Sequence, residues 1–175
     1  NTLINMNIAI VGATGNVGRK LLEVLERTNF EFSEIYLIAS DKSVGKKITF
    51  KNKNYSIIGL SDFDFGKVKL AFFSAGSSIA EKWAPIAAKK TIVIDNSKYF
   101  RMDKEIPLVV PEVNSDALKL YKNKNIIANA NCSTIQLVLA LKPLHDQFKI
   151  KRVIVSTYQS VSGAGKNHMI ELEEQ

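Results

Sequence analysis

The stretch from Asn7 to Thr28, NIAIVGATGNVGRKLLEVLERT, constrains the fold more than any other part of the chain. It opens on a short, nearly all-apolar run (7–13), the mark of a strand buried on both faces. It closes on a helical pattern (16–28) in which Val17, Leu21, Leu22, Val24 and Leu25 share one face, with charges opposite. Between the two, Gly12, Gly15 and Gly18 recur at every third residue. Gly12 permits a tight turn directly after a strand. Gly15 lets backbone N–H groups approach a pyrophosphate, and the helix N-terminus adds a favourable dipole. Glycines also serve plain turns, so the spacing alone is weak. The placement between a buried strand and an amphipathic helix gives the dinucleotide-binding reading its force.

The rest of the chain supplies neighbours for that unit. EIYLIAS (34–40) reads as the next strand, and KKITF (46–50) with YSIIGL (55–60) as a short hairpin or edge pair. VKLAFFSA (68–75) is a strand and SIAEKWAPIAAKK (78–90) a helix, in which Pro85 predicts a kink or a late start. TIVID (91–95), PLVVPEVN (107–114) and NIIANA (125–130) add three strands, and STIQLVLALKPLHDQF (133–148) a helix. RVIVSTYQS (152–160) reads as a last strand, running into Ser-Gly-Ala-Gly. Such alternation predicts an α/β fold, a Rossmann-type doubly wound parallel sheet.

Composition narrows the function classes. A chain of 175 residues suits one domain, or one domain and part of another. At 46% hydrophobic and 23% charged it can build a core and is not a disordered chain. No stretch approaches the ~20 consecutive apolar residues that cross a bilayer, and the start lacks the basic region of a secretory signal. A single cysteine excludes an internal disulfide and suits a reducing, cytoplasmic setting. The net charge of +7 invites a nucleic-acid reading. The lysines are scattered, however, and no aromatics interleave with them, so neither nucleic acid nor membrane is expected as a partner. A dispersed basic surface also suits an enzyme whose ligands are anions.

Three positions carry candidate chemistry. After the second strand, ASDKSVGKK (39–47) places Asp41 among Ser40, Lys42 and Ser43. One cation and two hydroxyls suit a ribose 2′-phosphate better than a bare hydroxyl, and a solvated polar loop accounts for the same spacing. Cys132, in NANCSTIQ, follows a strand and opens a helix. A lone cysteine is often packed away as a small hydrophobe. At a helix N-terminus, though, the dipole and free N–H groups favour the reactive thiolate. Gln159, near the end of the last expected strand, has an amide able to hold a carbonyl or carboxylate.

Taken together, GATGNVG, ASDKSVGK, FFSAGSSIAEKWAP, VIDNSKYFRMD, PLVVPEVN, NCSTIQ and YQSVSGAG resemble, in order and spacing, the aspartate-β-semialdehyde dehydrogenase family over essentially the whole chain. The resemblance implies NADPH-dependent reductive dephosphorylation of L-aspartyl-4-phosphate to L-aspartate 4-semialdehyde. That step feeds lysine (through diaminopimelate), threonine, methionine and isoleucine synthesis. It implies Cys132 as the nucleophile that forms an acyl-thioester, with Gln159 orienting substrate near the thiol. Arg101, with Asn96 beside it, matches the arginine that holds the acyl phosphate. Thr14, Gly15, Asn16 and Val17 match the pyrophosphate turn after Gly12, and Lys42 with Ser43 the 2′-phosphate reader, with Ser40 beside them on the cofactor side. Ser74, Ala75 and Gly76 match the cofactor cleft, and Ser162 with Gly163 the nicotinamide-side loop. The small-molecule partners implied are aspartyl phosphate and phosphate, and the full-length family is expected to be homodimeric.

Several features depart from the family pattern. Lys42 stands where the family usually has Arg, DNSK puts Lys98 near the phosphate site, and NANC replaces NPNC. The family's chains run to about twice this length. The expectation is therefore an NADP-binding domain over 1–130 and the opening of an α+β catalytic and dimerisation domain over 131–175, with Met6 as a natural start after an upstream extension. The family's general-base histidine is matched by neither His145 nor His168, so this stretch alone is expected to bind cofactor without turnover. N-acetyl-γ-glutamyl-phosphate reductase shows GCYPT around its cysteine, and glyceraldehyde-3-phosphate dehydrogenase shows SCTTN with an NAD-type acidic residue. Both fit NCSTIQ less well. A non-catalytic nucleotide-binding module stays open as an alternative.

Overall fold

The computed structural model describes residues 6–175, without the side chains of 166 and 167. Residues 1–5, expected as an upstream extension, lie outside the described residues. The centre is a sheet of seven strands: β1 (Ile8–Val11), β2 (Ile35–Ala39), β5 (Ile58–Gly59), β6 (Leu70–Phe73), β7 (Ile92–Asp95), β8 (Leu108–Val109) and β9 (Ile126–Asn129). Their order is β5-β2-β1-β6-β7-β9-β8, and every pairing in it is parallel. β3 (Lys47–Phe50) and β4 (Lys53–Ser56) form a separate antiparallel hairpin. Its turn is made by Lys51 and Asn52, both at positive φ.

The buried first strand shows why the sheet is covered on both sides. Ile8, Ile10, Ala13, Leu22, Leu25 and Leu37 pack in one cluster, which includes the inner face of α1 (Asn16–Arg27). Ala9 and Val11 alternate to the other face and join Ile38, Phe73 and Val93 beneath α2 (Ser77–Ala88). All four residues of β1 are essentially inaccessible, which is what a doubly wound architecture requires of its central strand. The fold class read from the pattern therefore stands.

Four details differ from the sequence expectation. α2 starts at Ser77 and runs through Pro85, so the proline does not delay it. YSIIGL splits: Tyr55 and Ser56 close the hairpin, and Ile58–Gly59 joins the main sheet beside β2. PLVVPEVN keeps only Leu108–Val109 as strand, because Pro111 starts a short helix, α3 (Pro111–Asn114). The Asn114 side chain fixes that break, accepting from the Val110 N–H at 2.8 Å and donating to the Leu108 carbonyl at 2.9 Å. RVIVSTYQS is not a strand at all. Among the described residues no backbone ladder pairs with it, and Val153, Ile154, Val155 and Tyr158 are exposed. The β-branched run Val153-Ile154-Val155 suits a strand, but a strand exists only beside a partner. The remaining segments include α4 (Cys132–Phe148), α5 (Lys166–Glu174) and a 3₁₀ run over Ser115–Asn123 that the pattern did not announce.

Candidate functional site

The strand order reverses at β1: β2 lies on one side, and the chain crosses to β6 on the other. Open parallel sheets bind ligands outside the carboxyl ends of their strands at such a switch point. Here the turn after β1 and the turn after β6 face each other. Gly12 sits at φ +89°, and its N–H and that of Ala13 both donate to the Ile38 carbonyl. A Cβ on Gly12 would fall 2.8 Å from the Ser74 backbone, and one on Gly18 would fall 2.3 Å from the Gly12 carbonyl oxygen. Both glycines are thus dictated by close approach. The Ser74 hydroxyl donates to the Val11 carbonyl at 3.0 Å and ties the two turns together.

This turn pair opens two helices without side-chain caps. Gly15 precedes α1 and Gly76, at φ +89°, precedes α2, and neither has a side chain to offer the free N–H groups behind it. Gly15 and, from α2, Ile79 line a cleft of about 350 Å³ together with Gly12, Thr14, Ser40, Ser74 and Ala75 among others. Among the described residues no carboxylate lines it. Uncapped N–H groups, helix dipoles and no competing anion fit a pyrophosphate.

A second cleft of about 550 Å³ continues from the first, sharing Thr14, Gly15 and Ser74 and adding Asn16 and Val17. Asn96, Arg101, Asn129, Cys132, Gln159, Ser162 and Gly163 are among the residues that line the rest of it. Cys132 is exposed and is the first residue of α4, so the packed-away reading fails. Asn131 caps that helix, its Oδ1 accepting from the N–H groups of Ser133 (3.0 Å) and Thr134 (3.4 Å). The Gln159 Nε2 donates to the Cys132 sulfur at 3.8 Å, while the Ser133 hydroxyl donates to Gln159 Oε1 at 3.4 Å. A Cβ on Gly163 would lie 2.3 Å from that Gln159 Nε2, so the loop leaves the amide its room.

The opposite side of the cleft is equally ordered. Asp95 ends β7 fully buried, and accepts from both the N–H (3.1 Å) and the hydroxyl (2.6 Å) of Ser97. Burial pushes its carboxyl above the usual range, against the opposing pull of the Ser97 bonds and the Arg101 charge. The turn so fixed carries Asn96 and leads to Arg101. Arg101 donates from Nε to the Asn129 carbonyl at 2.9 Å and from Nη2 to the Asn96 carbonyl at 3.2 Å.

Not every expected residue converges. Lys42 and Ser43 sit in a 3₁₀ turn (Asp41–Ser43) beyond Ser40 and line neither cleft, and Gly76 acts at the helix start. Lys98 is exposed and outside the lining. His145 lies in a groove with Leu141, Ile150 and Val153, and exposed His168 is in α5. Sequence reasoning missed Asn131, which an Asn directly before a helix should have flagged as a cap. It also missed Asp95 with Ser97, and Asn129, whose role rests on two long-range bonds and left no local signal.

A family model described as semialdehyde dehydrogenase, NAD binding domain, matches residues 7–121. A second, semialdehyde dehydrogenase, dimerisation domain, matches residues 141–175. Aspartate-semialdehyde dehydrogenase of Shewanella sp. (strain DB6705) is 48% identical over 170 residues, 97% of this chain and 50% of the relative. The crystal structure of aspartate semialdehyde dehydrogenase II from Vibrio cholerae in complex with ASA superposes with a TM-score of 0.94 at 50% identity, over 98% of this chain and 51% of that one. The Candida albicans aspartate semialdehyde dehydrogenase with NADP superposes at 0.70 and 29% identity, over 82% and 48%. The chain spans about half the length of the curated relatives it matches. On the match to its sheet and turns, covering well over half its residues, this chain belongs to the semialdehyde dehydrogenase family.

Proposed function

We propose that the chain carries the cofactor site and the nucleophile of an NADP-dependent aspartate-semialdehyde dehydrogenase, working on L-aspartyl-4-phosphate as a homodimer. One observation carries this reading: a single cleft joins the uncapped Gly15 turn, an exposed Cys132 at a helix start, the Gln159 amide and the Arg101 guanidinium. The relatives' names, the NADP in the Candida structure and the dimerisation-domain match support it. Matches ending at 121 and resuming at 141 support a cofactor domain to about 130 and a catalytic domain opening at 131.

In this reading Thr14 to Val17 hold the pyrophosphate, with Ser40, Lys42 and Ser43 toward the ribose 2′-phosphate and Ser74 to Gly76 along the cleft. Ser162 and Gly163 would hold the nicotinamide end. Cys132 attacks the acyl carbonyl as thiolate, the carbon–oxygen bond to phosphate breaks, and an acyl-thioester forms. Arg101 and Asn96 hold the phosphate dianion through its departure, for which a planar guanidinium is suited. Gln159 orients the carbonyl beside the sulfur. Reduced NADP, when bound, supplies the hydride that reduces the thioester. Collapse of the resulting tetrahedral centre returns the thiolate and releases the aldehyde.

The test is steady-state reduction of NADP⁺ by the full-length protein, with aspartate semialdehyde and phosphate. The expected result is turnover that needs phosphate and disappears in Cys132→Ala. Turnover without phosphate, or turnover retained in Cys132→Ala, overturns the reading. N-acetylglutamate semialdehyde as the preferred substrate would favour the reductase alternative, and cofactor binding with no reduction of either would favour the non-catalytic module.

A further inference from the structure

We propose that Asn129 is a positioning residue that sets both anion-holding groups of the cleft, Arg101 through its carbonyl and Asn96 through its side chain. The inference rests on the acyl-phosphate reading above, since it names what fixes the phosphate end of that site. Asn129 ends β9 and stands in register with Val109 of β8, at the carboxyl edge of the sheet. Its carbonyl accepts from Arg101 Nε at 2.9 Å, and its Nδ2 donates to Asn96 Oδ1 at 2.6 Å.

Each bond decides what the cleft presents. Arg101 has five N–H donors in a fixed fork, and main-chain oxygens of Asn129 and Asn96 occupy one at Nε and one at Nη2. The guanidinium is thereby held by rigid backbone, with its other three donors left for a ligand. The amide of Asn96 is bipolar, and either end can face an anion. With Oδ1 held by Asn129, the uncommitted end is the donor Nδ2, and Asn96 lines the same cleft as Arg101 and Cys132. One side chain thus settles the polarity of another. Reversing that donor to an acceptor should turn the Asn96 amide around and set its oxygen against the phosphate.

Two variants of the full-length protein test this, read by calorimetric binding of inorganic phosphate, by the phosphate KM in NADP⁺ reduction, and by NADP⁺ affinity. Asn129→Asp, which can only accept when ionised, should weaken phosphate by about tenfold or more, and Asn129→Ala by about fivefold. NADP⁺ affinity and the rate of Cys132 alkylation by iodoacetamide should stay within about twofold in both variants, as a positioning role confined to the anion end requires. Phosphate binding unchanged in Asn129→Asp overturns the proposal, as does parallel loss of phosphate and NADP⁺, which marks a merely structural role. Were the unmutated protein to bind phosphate in this Asn129-dependent way yet reduce no NADP⁺, the reaction reading would fail and the positioning role would stand.

Discussion

Gly12 and Asp95 show how far single residues are committed to this site. Gly12 holds φ +89° with the Ser74 backbone against the place where a Cβ would go. A Gly12→Ala change incurs positive-φ strain of about 1–3 kcal/mol before the clash is counted. It should therefore lower stability to urea by at least that much and weaken NADP⁺ binding, whereas unchanged stability would mean that the two turns are loosely apposed. Asp95 makes a prediction in pH. Its carboxyl is raised by burial, so the folded state holds the proton more tightly than the unfolded state does. Its contribution is fully present below the ordinary carboxylate range and is lost as pH rises through that range to the raised folded value. Half-buried Glu23 and exposed Asp64 and Asp146, lowered by Lys20, Lys90 and Lys142, act in the opposite sense and lose their contribution as pH falls. The difference in unfolding free energy between the unmutated protein and Asp95→Asn, followed from about pH 3 to 7, isolates the Asp95 part. It should move in favour of the variant as pH rises, and a difference independent of pH contradicts the assignment.

At the scale of elements, the helices of the site divide by their caps. α1 and α2 begin after glycines and keep their N–H groups free for a ligand, while α4 spends two of its own on Asn131. Asn131→Ala should cost about 1 kcal/mol of stability and loosen the first turn that carries Cys132. Amide exchange at Ser133 and Thr134 measures the loosening, and unaltered exchange there would show that the cap is idle. The same scale separates what could be read in the sequence from what could not. β1, the Gly12–Gly18 turn and α1 were legible because steric demand and hydrophobic period are local, and Cys132 was legible from its place before a helical run. Residues 152–160 were not, because the β-branched run Val153-Ile154-Val155 describes a local preference and says nothing of a partner strand. Pro111 turned an apolar run into a helix start, a signal present in the sequence and outweighed by Val109 and Val110. Gln159 lies beside the thiol although the strand expected to carry it did not form. Asn129 was invisible for the reason long-range bonds generally are: its partners lie 28 and 33 residues away in sequence.

Across the whole molecule, burial is uneven. The sheet and its two covering helices hold the core, while α4 buries none of its residues and exposes Leu139, Leu144 and Phe148, followed by Val153, Ile154 and Val155. An apolar expanse of that kind marks a surface that associates. Among the described residues no histidine lines the cleft that holds Cys132. Positioned proton transfer contributes about 10²–10⁴-fold in rate. A polypeptide of residues 1–175 is therefore expected to bind NADPH, to enhance the fluorescence of a hydrophobic dye, and to show no measurable turnover. Turnover by it near the full-length rate would place the proton-transfer group within these residues. The central claim, that Cys132 carries the acyl group, is tested most directly by intact-mass and peptide mass spectrometry of the full-length protein incubated with aspartate semialdehyde and NADP⁺ in the absence of phosphate. The account predicts a mass gain of one aspartyl group, located on the peptide containing Cys132 and discharged when phosphate is added; an adduct on another residue, or none while NADP⁺ is reduced, would contradict it.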